Sequence, residues 1–264
     1  MMNSKEIAVK SHQILSFNRI FSTTGNGRDV FWPGCAVLAM GKEITNKIYE
    51  LLKIAMPELT YSSSCCGKPS KHINDGKNFE KRKEFLERIF QKNGIKNIYT
   101  LCPNCFVTLR EFSQVNVQSA WKLIDEYFPE SSLGILEKTV LSLHDPCPVT
   151  KDIEAAEHAR SILRKMGVHV LEFKNNRENT ICCGKKNMLM SLNPEKGKKM
   201  FEQRALQAPS KNIVTYCASC RDTFKHNSFV SYHILELLFQ TEGNSSWMNR
   251  YRAVKSMKRR NENA

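Results

Sequence analysis

A cysteine pattern that occurs twice constrains this chain more than any other feature. A lone cysteine, a Cys-Cys-Gly and a C-x-x-C appear as Cys35, Cys65-Cys66-Gly67 and Cys102/Cys105. They appear again as Cys147, Cys182-Cys183-Gly184 and Cys217/Cys220, and the two sets use all 10 cysteines. The displacement is 112 residues from Cys35 to Cys147, 117 from Cys65 to Cys182 and 115 from Cys102 to Cys217. The match extends past cysteine, because Lys96-Asn97-Ile98-Tyr99-Thr100-Leu101-Cys102 aligns with Lys211-Asn212-Ile213-Val214-Thr215-Tyr216-Cys217. A repeat of nearly half the chain means one fold built twice. At 264 residues each half is long enough for its own core.

Periodicity gives the elements of that fold. Asp29–Trp32 reads as a strand into the turn Pro33-Gly34-Cys35, and apolar residues at helical spacing follow from Ala39 to Met56. A helix over Phe79–Gln91 closes at Gly94, Lys96–Leu101 is a strand, helix resumes through Leu109, and another helix is expected from Val117 to Phe128. The cluster Pro129 to Gly134 reads as a domain boundary. The pattern then restarts, with strands over Thr139–Leu143, Val168–Phe173 and Lys211–Tyr216 and helices over Ile153–Met166, Pro194–Leu206 and Tyr232–Phe239. Strands alternating with helices imply an α/β fold with mainly parallel sheets, in two tandem pseudo-repeated domains each carrying a C…CCG…CxxC site. The resulting partition is an extension over 1–28, domains over 29–130 and 135–240, and a basic tail over 241–264. In each half the lone cysteine and the C-x-x-C follow a strand and precede a helix, the edge where open α/β sheets gather ligands.

No apolar run is long enough to span a membrane, and residues 1–18 contain no continuous apolar core of a secretory signal. The expected compartment is a reducing cytoplasm, where ten cysteines bind metal more readily than they form disulfides. The net charge of +14 admits an anionic partner or a lysine-coated surface, but no nucleic-acid recognition motif accompanies it, so no nucleic acid is expected. Gly25-Asn26-Gly27 precedes the first strand instead of following one, which removes the context a dinucleotide fingerprint needs. No flavin or nicotinamide signature is found.

Buried structural cysteines carry no spacing rule, whereas these do. Zinc in one half is the metal alternative, although a tetrahedral all-thiolate zinc would leave one thiol of each set unused. Soft thiolate sites otherwise point to iron–sulfur clusters.

Phe31-Trp32-Pro33-Gly34-Cys35-Ala36, His144-Asp145-Pro146-Cys147 and the two Cys-Cys-Gly sequences resemble the CCG, or cysteine-rich, domain family. That family is typified by the B subunit of heterodisulfide reductase, and its relatives include iron–sulfur subunits of glycerol-3-phosphate, lactate and glycolate oxidising complexes. Tyr232-His233-Ile234-Leu235-Glu236-Leu237-Leu238 resembles its closing helix, so the likeness runs from Asp29 to Phe239. The resemblance implies two facing domains whose five cysteines each, Cys35, Cys65, Cys66, Cys102 and Cys105, then Cys147, Cys182, Cys183, Cys217 and Cys220, hold non-cubane 4Fe–4S clusters. It implies an oxidoreductase subunit that exchanges electrons with a flavoprotein or ferredoxin-type iron–sulfur subunit and with a disulfide-, quinone- or similar acceptor. The rivals are a zinc-stabilised binding module and a pure electron conduit. This chain departs from the family at Lys185-Lys186-Asn187-Met188, where relatives often carry further glycines.

His144 is expected either to donate a hydrogen bond to a cluster or to cap a strand. Lys185 and Lys186 are candidate cleft-lining cations, while His72 and His226 read as solvent-facing. Arg250, Arg252, Lys255, Lys258, Arg259 and Arg260 crowd the C-terminus, with Trp247, Tyr251 and Val254 at helical spacing. A solvated, frayed tail is the commoner outcome, and an amphipathic segment for a membrane surface or partner is the other.

Overall fold

The computed structural model describes residues 10–11, 13–14, 16–18, 22–72, 76–112 and 114–262, without side chains at 72, 149, 187 and 259–262. In chain order the elements are β1 (Asp29–Trp32), α1 (Cys35–Met40), α2 (Lys42–Ala55), β2 (Thr60–Tyr61), α3 (Lys68–His72), α4 (Gly76–Lys92), β3 (Asn97–Thr100), α5 (Pro103–Leu109), β4 (Asn116–Ser119) and α6 (Ala120–Glu126). They continue with β5 (Val140–His144), α7 (Ile153–Lys165), β6 (His169–Glu172), α8 (Leu189–Leu192), α9 (Pro194–Ala205), β7 (Asn212–Thr215), α10 (Ala218–Lys225), β8 (Val230–His233), α11 (Ile234–Leu238) and α12 (Trp247–Glu262).

The strands form two sheets of four, ordered β2-β1-β3-β4 and β6-β5-β7-β8, and every pairing is parallel. Val30 stands opposite Ile98 in the first, and Leu143 opposite Val214 in the second. The chain order reverses between β1 and β3, and between β5 and β7. That switch point opens a crevice at the carboxyl ends of the strands. The central strands are buried on both faces, as parallel strands between helices must be: Val30, Phe31 and Trp32 of β1 and Ile213 and Val214 of β7 have no exposed surface.

Two expected helices begin later than their periodicity suggests. Val117 and the residues beside it extend β3, and Val230–His233 extend β7, so each segment is an edge strand followed by a short helix. The expected helix over Ala39–Met56 is two helices, broken at Gly41.

The compact units also divide differently from the 29–130 and 135–240 partition: one comprises Met1–Ala120 with Asn244–Ala264, the other Trp121–Gly243. Side chains of α6 explain the first difference. Trp121 packs edge-on to Tyr216 at 5.9 Å and over His233 at 5.9 Å, and Asp125 pairs with His158 and Lys165. The second difference corrects the expectation of a frayed tail. Residues 247–262 are helical, and Ala253, Val254 and Met257 are buried against α1 and α2. The amides of Asn244 and Ser246 donate to the carbonyls of Met40 and Ala39, fixing the start of α12 at the end of α1. Among the described residues no helix is long and apolar enough to cross a membrane.

Met257 is fully buried and Met248, on the same helix, is 57% exposed. Met257→Ala is therefore expected to cost about 2–5 kcal/mol in the denaturant-unfolding transition of the first unit, and Met248→Ala about 0.5 kcal/mol or less. Equal, small effects would return α12 to the status of a solvated tail.

Candidate metal centres

Each cysteine set is collected from the carboxyl ends of three adjacent parallel strands. Cys35 opens α1 directly after β1, Cys65 and Cys66 follow β2, and Cys102 and Cys105 bracket the start of α5 after β3. In the second unit Cys147 follows β5, Cys182 and Cys183 follow β6, and Cys217 and Cys220 bracket the start of α10 after β7. The cysteines are buried, apart from Cys35 and Cys147, which are partly so, and all ten are free of disulfides.

Within each unit the five thiols form one continuous chain of contacts. It runs Cys35, Cys65, Cys66, Cys105, Cys102 in the first and Cys147, Cys182, Cys183, Cys220, Cys217 in the second. Cys183 and Cys220 are 3.3 Å apart at sulfur. These ten residues thus converge as the repeat in the sequence implies, five by five.

So many thiols out of water cannot all ionise. Cys102 is drawn down to about 7, first by its hydrogen bond with the Cys105 thiol, and Cys182 to about 2 by hydrogen bonds with Cys147 and then Cys183. Cys183 is pushed up to about 12 by its bond to Cys182, although Cys220 and the Lys185 amide oppose this. Cys35, Cys105 and Cys220 rise well above the ordinary thiol range, first through bonds shared with Cys65, Cys102 and Cys183 and further through burial. A set of this kind releases its protons to a metal that takes their place, since thiolate is the ligand form.

The polar groups around the sets fit an anionic, sulfur-rich occupant. Trp32 and His144 hold corresponding places, each at the end of its unit's β1 or β5 and three residues before the lone cysteine. Both are fully buried, and the Trp32 Nε1–H and His144 Nε2 have no hydrogen-bond partner. Trp32 packs in the same cluster as Cys66, Cys102 and Cys105. One nitrogen of His144 and the sulfurs of Cys183 and Cys220 lie within 4.8 Å of one another. Arg204 Nε donates to His144 Nδ1 at 2.9 Å, so the ring carries its proton on Nε2. Burial and then the neighbouring guanidinium hold His144 well below its usual range, so it stays neutral. Two unrelated side chains therefore present an unsatisfied N–H at one topological position. A buried donor without an acceptor is costly, and a sulfur-rich anionic group held by the cysteines would supply one.

Lys185 and Lys186 are exposed, but the backbone amide of Lys186 donates to Cys182 Sγ at 3.3 Å, as Gly67 N–H does to Cys65 Sγ at 3.5 Å. The main chain of this segment reaches the sulfur while its lysine side chains point to solvent. His226 is exposed, with Nδ1 2.6 Å from the Asp222 carbonyl oxygen. The side chain of His72 lies outside the described residues.

Asp145 was read only as part of a motif, yet it organises the second site. It is fully buried and accepts from Arg160 at 2.8 and 3.1 Å, from Tyr216 Oη at 2.8 Å and from the Arg177 amide at 2.8 Å. Its carbonyl accepts from Thr180 Oγ1 at 2.7 Å. It thereby ties the turn that carries Cys147 to the loop that delivers Cys182. Pro33 stands in the corresponding place of the first unit and can accept nothing from its side chain, so the repeat gave no signal for this role.

The glycine of each Cys-Cys-Gly has positive φ, +87° at Gly67 and +84° at Gly184. A Cβ at Gly184 would stand 2.3 Å from the Gly197 carbonyl oxygen, while one at Gly67 would meet the flexible Arg82 Cγ at 3.0 Å. The pair of cysteines turns back on itself only because this residue has no side chain.

With the geometry in view, the comparisons fall into place. A family model described as "Cysteine-rich domain", CCG, matches residues 30–110 and 141–225. The chain belongs to the CCG cysteine-rich domain family. It is 26% identical over 140 residues to the probable iron-sulfur-binding oxidoreductase FadF of Bacillus subtilis, covering 50% of this chain and 20% of that one. It is 23% identical over 205 residues to an uncharacterized iron-sulfur protein of Methanococcus maripaludis, covering 73% of this chain and 40% of the relative. The chain thus spans one to two fifths of the length of these curated relatives. Among solved structures, Picrophilus torridus aspartate racemase aligns over 86% of this chain and 100% of its own at 11% identity, with a TM-score of 0.32 that carries no argument.

Two substitutions test this construction. Asp145→Ala leaves Arg160 facing Glu172 alone and is expected to destabilise the second unit by about 3–5 kcal/mol, read by thermal unfolding. Gly184→Ala should lower metal retention in the second unit far more than Gly67→Ala does in the first, because backbone opposes it at one site and a flexible side chain at the other. Equal retention in the two variants would contradict the asymmetry.

Proposed function

We propose that this chain is an iron–sulfur redox protein in which each five-cysteine set holds one cluster, of the non-cubane 4Fe–4S type. The observation that carries the reading is the gathering of five contiguous thiols in each unit beside buried N–H groups that lack an acceptor. The names of the relatives in Bacillus subtilis and Methanococcus maripaludis support the same chemistry. A cluster supplies one-electron oxidation and reduction when bound. The residues of the chain would do the rest: the five thiolates of each set would hold one cluster, aromatic walls exclude water, and Trp32 in the first unit and His144 in the second would each donate a hydrogen bond to the cluster of its own unit. In the second unit those walls are Phe173, Phe201 and Phe224.

The chain works in this reading as a subunit or segment of a larger oxidoreductase. It passes electrons singly between a flavoprotein or ferredoxin-type partner and a disulfide- or quinone-like acceptor. Zinc remains an outcome of the test.

Because the sets belong to separate units, Cys183→Ser is expected to remove about half the iron and sulfide of the anaerobically purified protein. Loss of all iron from the variant would mean a single shared centre. Zinc without sulfide in the parent protein would replace the reading by a structural metal.

A further inference from the structure

Buried arginines in this protein fall into two kinds. Arg160 and Arg221 are neutralised by carboxylates, through Asp145 and Glu172 in one case and Glu236 and Asp222 in the other. Arg82, Arg204 and Arg250 are as deeply buried, and among the described residues none has a carboxylate ion-pair partner. A guanidinium taken out of water without a counter-charge is among the costlier arrangements a fold can hold.

Arg250 belongs to α12, far in sequence from any cysteine. It is 3% exposed, stacks 4.8 Å from the Trp247 ring centroid, and donates from Nη1 to Ser16 Oγ at 2.7 Å. Its Nε and Nη2 have no hydrogen-bond partner among the described residues. The helix that carries it packs on α1, which opens with Cys35. From the other side Arg82 donates from Nε to the Cys65 carbonyl at 3.1 Å, is flanked by Phe17 and Phe85, and leaves Nη2 without a partner. The Tyr61 hydroxyl, also buried, is unpartnered as well. Arg250 acts on both neighbours: Cys35 is raised first by its bond with Cys65 and by burial, which Arg250 opposes, and Arg82 is lowered first by burial and further by Arg250, against Cys65 and Cys66. Two like charges held out of water near one cysteine set require an anion there.

We infer that Arg250 makes the C-terminal helix part of the first centre, as a buried counter-charge which, with Arg82, balances the anionic group held by Cys35, Cys65 and Cys66. The inference rests on the proposed metal occupancy of that set. Its consequence is an asymmetry between the repeats. Among the described residues the first centre has two guanidiniums without a carboxylate partner and the second has one, Arg204, which is engaged with His144, Gln207 and the Asn175 carbonyl. Added positive charge at short range favours the reduced, more negative state. The first centre therefore has the higher potential.

The test uses the full chain purified anaerobically as the parent, Arg250→Lys and Arg250→Met. Each is titrated for midpoint potentials by electron paramagnetic resonance, with iron and sulfide counted in parallel. The first-centre signal is the one that survives Cys183→Ser. Arg250→Met is expected to shift that signal alone to lower potential or to lose its iron, while Arg250→Lys keeps both iron and a potential near the parent's. Unchanged potentials in Arg250→Met would overturn the inference. So would equal loss of iron in both variants, because it would mean that the shape of arginine matters and its charge does not. A parent whose first centre holds no iron would instead remove the functional reading on which the inference depends.

Discussion

Five sulfurs crowded out of water at one sheet edge are the constraint on which each unit depends. Adjacent buried thiols resist joint ionisation, so Cys102 and Cys182 fall only because neighbours donate to them, and those neighbours rise. A protein that wanted small buried apolar residues would use alanine or valine there and avoid the conflict. Among the described residues, the surrounding fold accepts further unfavourable features at the same places: donors without acceptors at Trp32 and His144, and arginines without carboxylates at 82, 204 and 250. All of these are relieved by one thing, an anionic group bound through sulfur. A thiolate-bound metal group meets that description, and its donor set identifies the soft metals.

The parallel sheet makes the crowding achievable. Reversing the order of strand addition between β1 and β3, or between β5 and β7, while all strands stay parallel, leaves three adjacent strand ends facing the same crevice. One cysteine element at each end suffices to bring five sulfurs together, and glycine after the pair lets the chain turn tightly enough to place two in succession. Duplication then preserved the scaffold and altered its surroundings. Trp32 is answered by His144, Pro33 by Asp145, and the Arg82 that crosses Gly67 by the bare backbone of Gly197 against Gly184. The ligands repeat, while the charge and hydrogen bonding around them do not.

The cysteine sets were legible because spacing alone reveals a repeat, the long helices because their periodicity is unbroken over a dozen residues or more, and the main strands as short apolar runs bounded by turns. The edge strands β4 and β8 were not. Each runs without a breaker into a helix, so residues 117–119 of β4 and 232–233 of β8 were absorbed into the helical pattern. β2, at two residues, is too short to leave any pattern. The packing of α12 was partly visible. Arg250, Ala253, Val254 and Met257 have helical spacing, but Trp247 and Tyr251 drew attention to a more exposed face. The unpaired arginines were invisible, since an arginine on an amphipathic helix looks like surface charge until the absence of a carboxylate nearby can be seen. Asp145 escaped for a related reason: its partners Arg160, Arg177 and Tyr216 lie 15, 32 and 71 residues further along the chain and meet only on folding.

The central claim is that each unit holds its own iron–sulfur group. Native mass spectrometry of the intact protein, prepared and sprayed without oxygen, measures this directly. The account predicts a mass above that of the polypeptide equal to two iron–sulfur clusters, with a resolvable species carrying one. A mass excess matching zinc, or a single indivisible cluster shared by all ten cysteines, would contradict it.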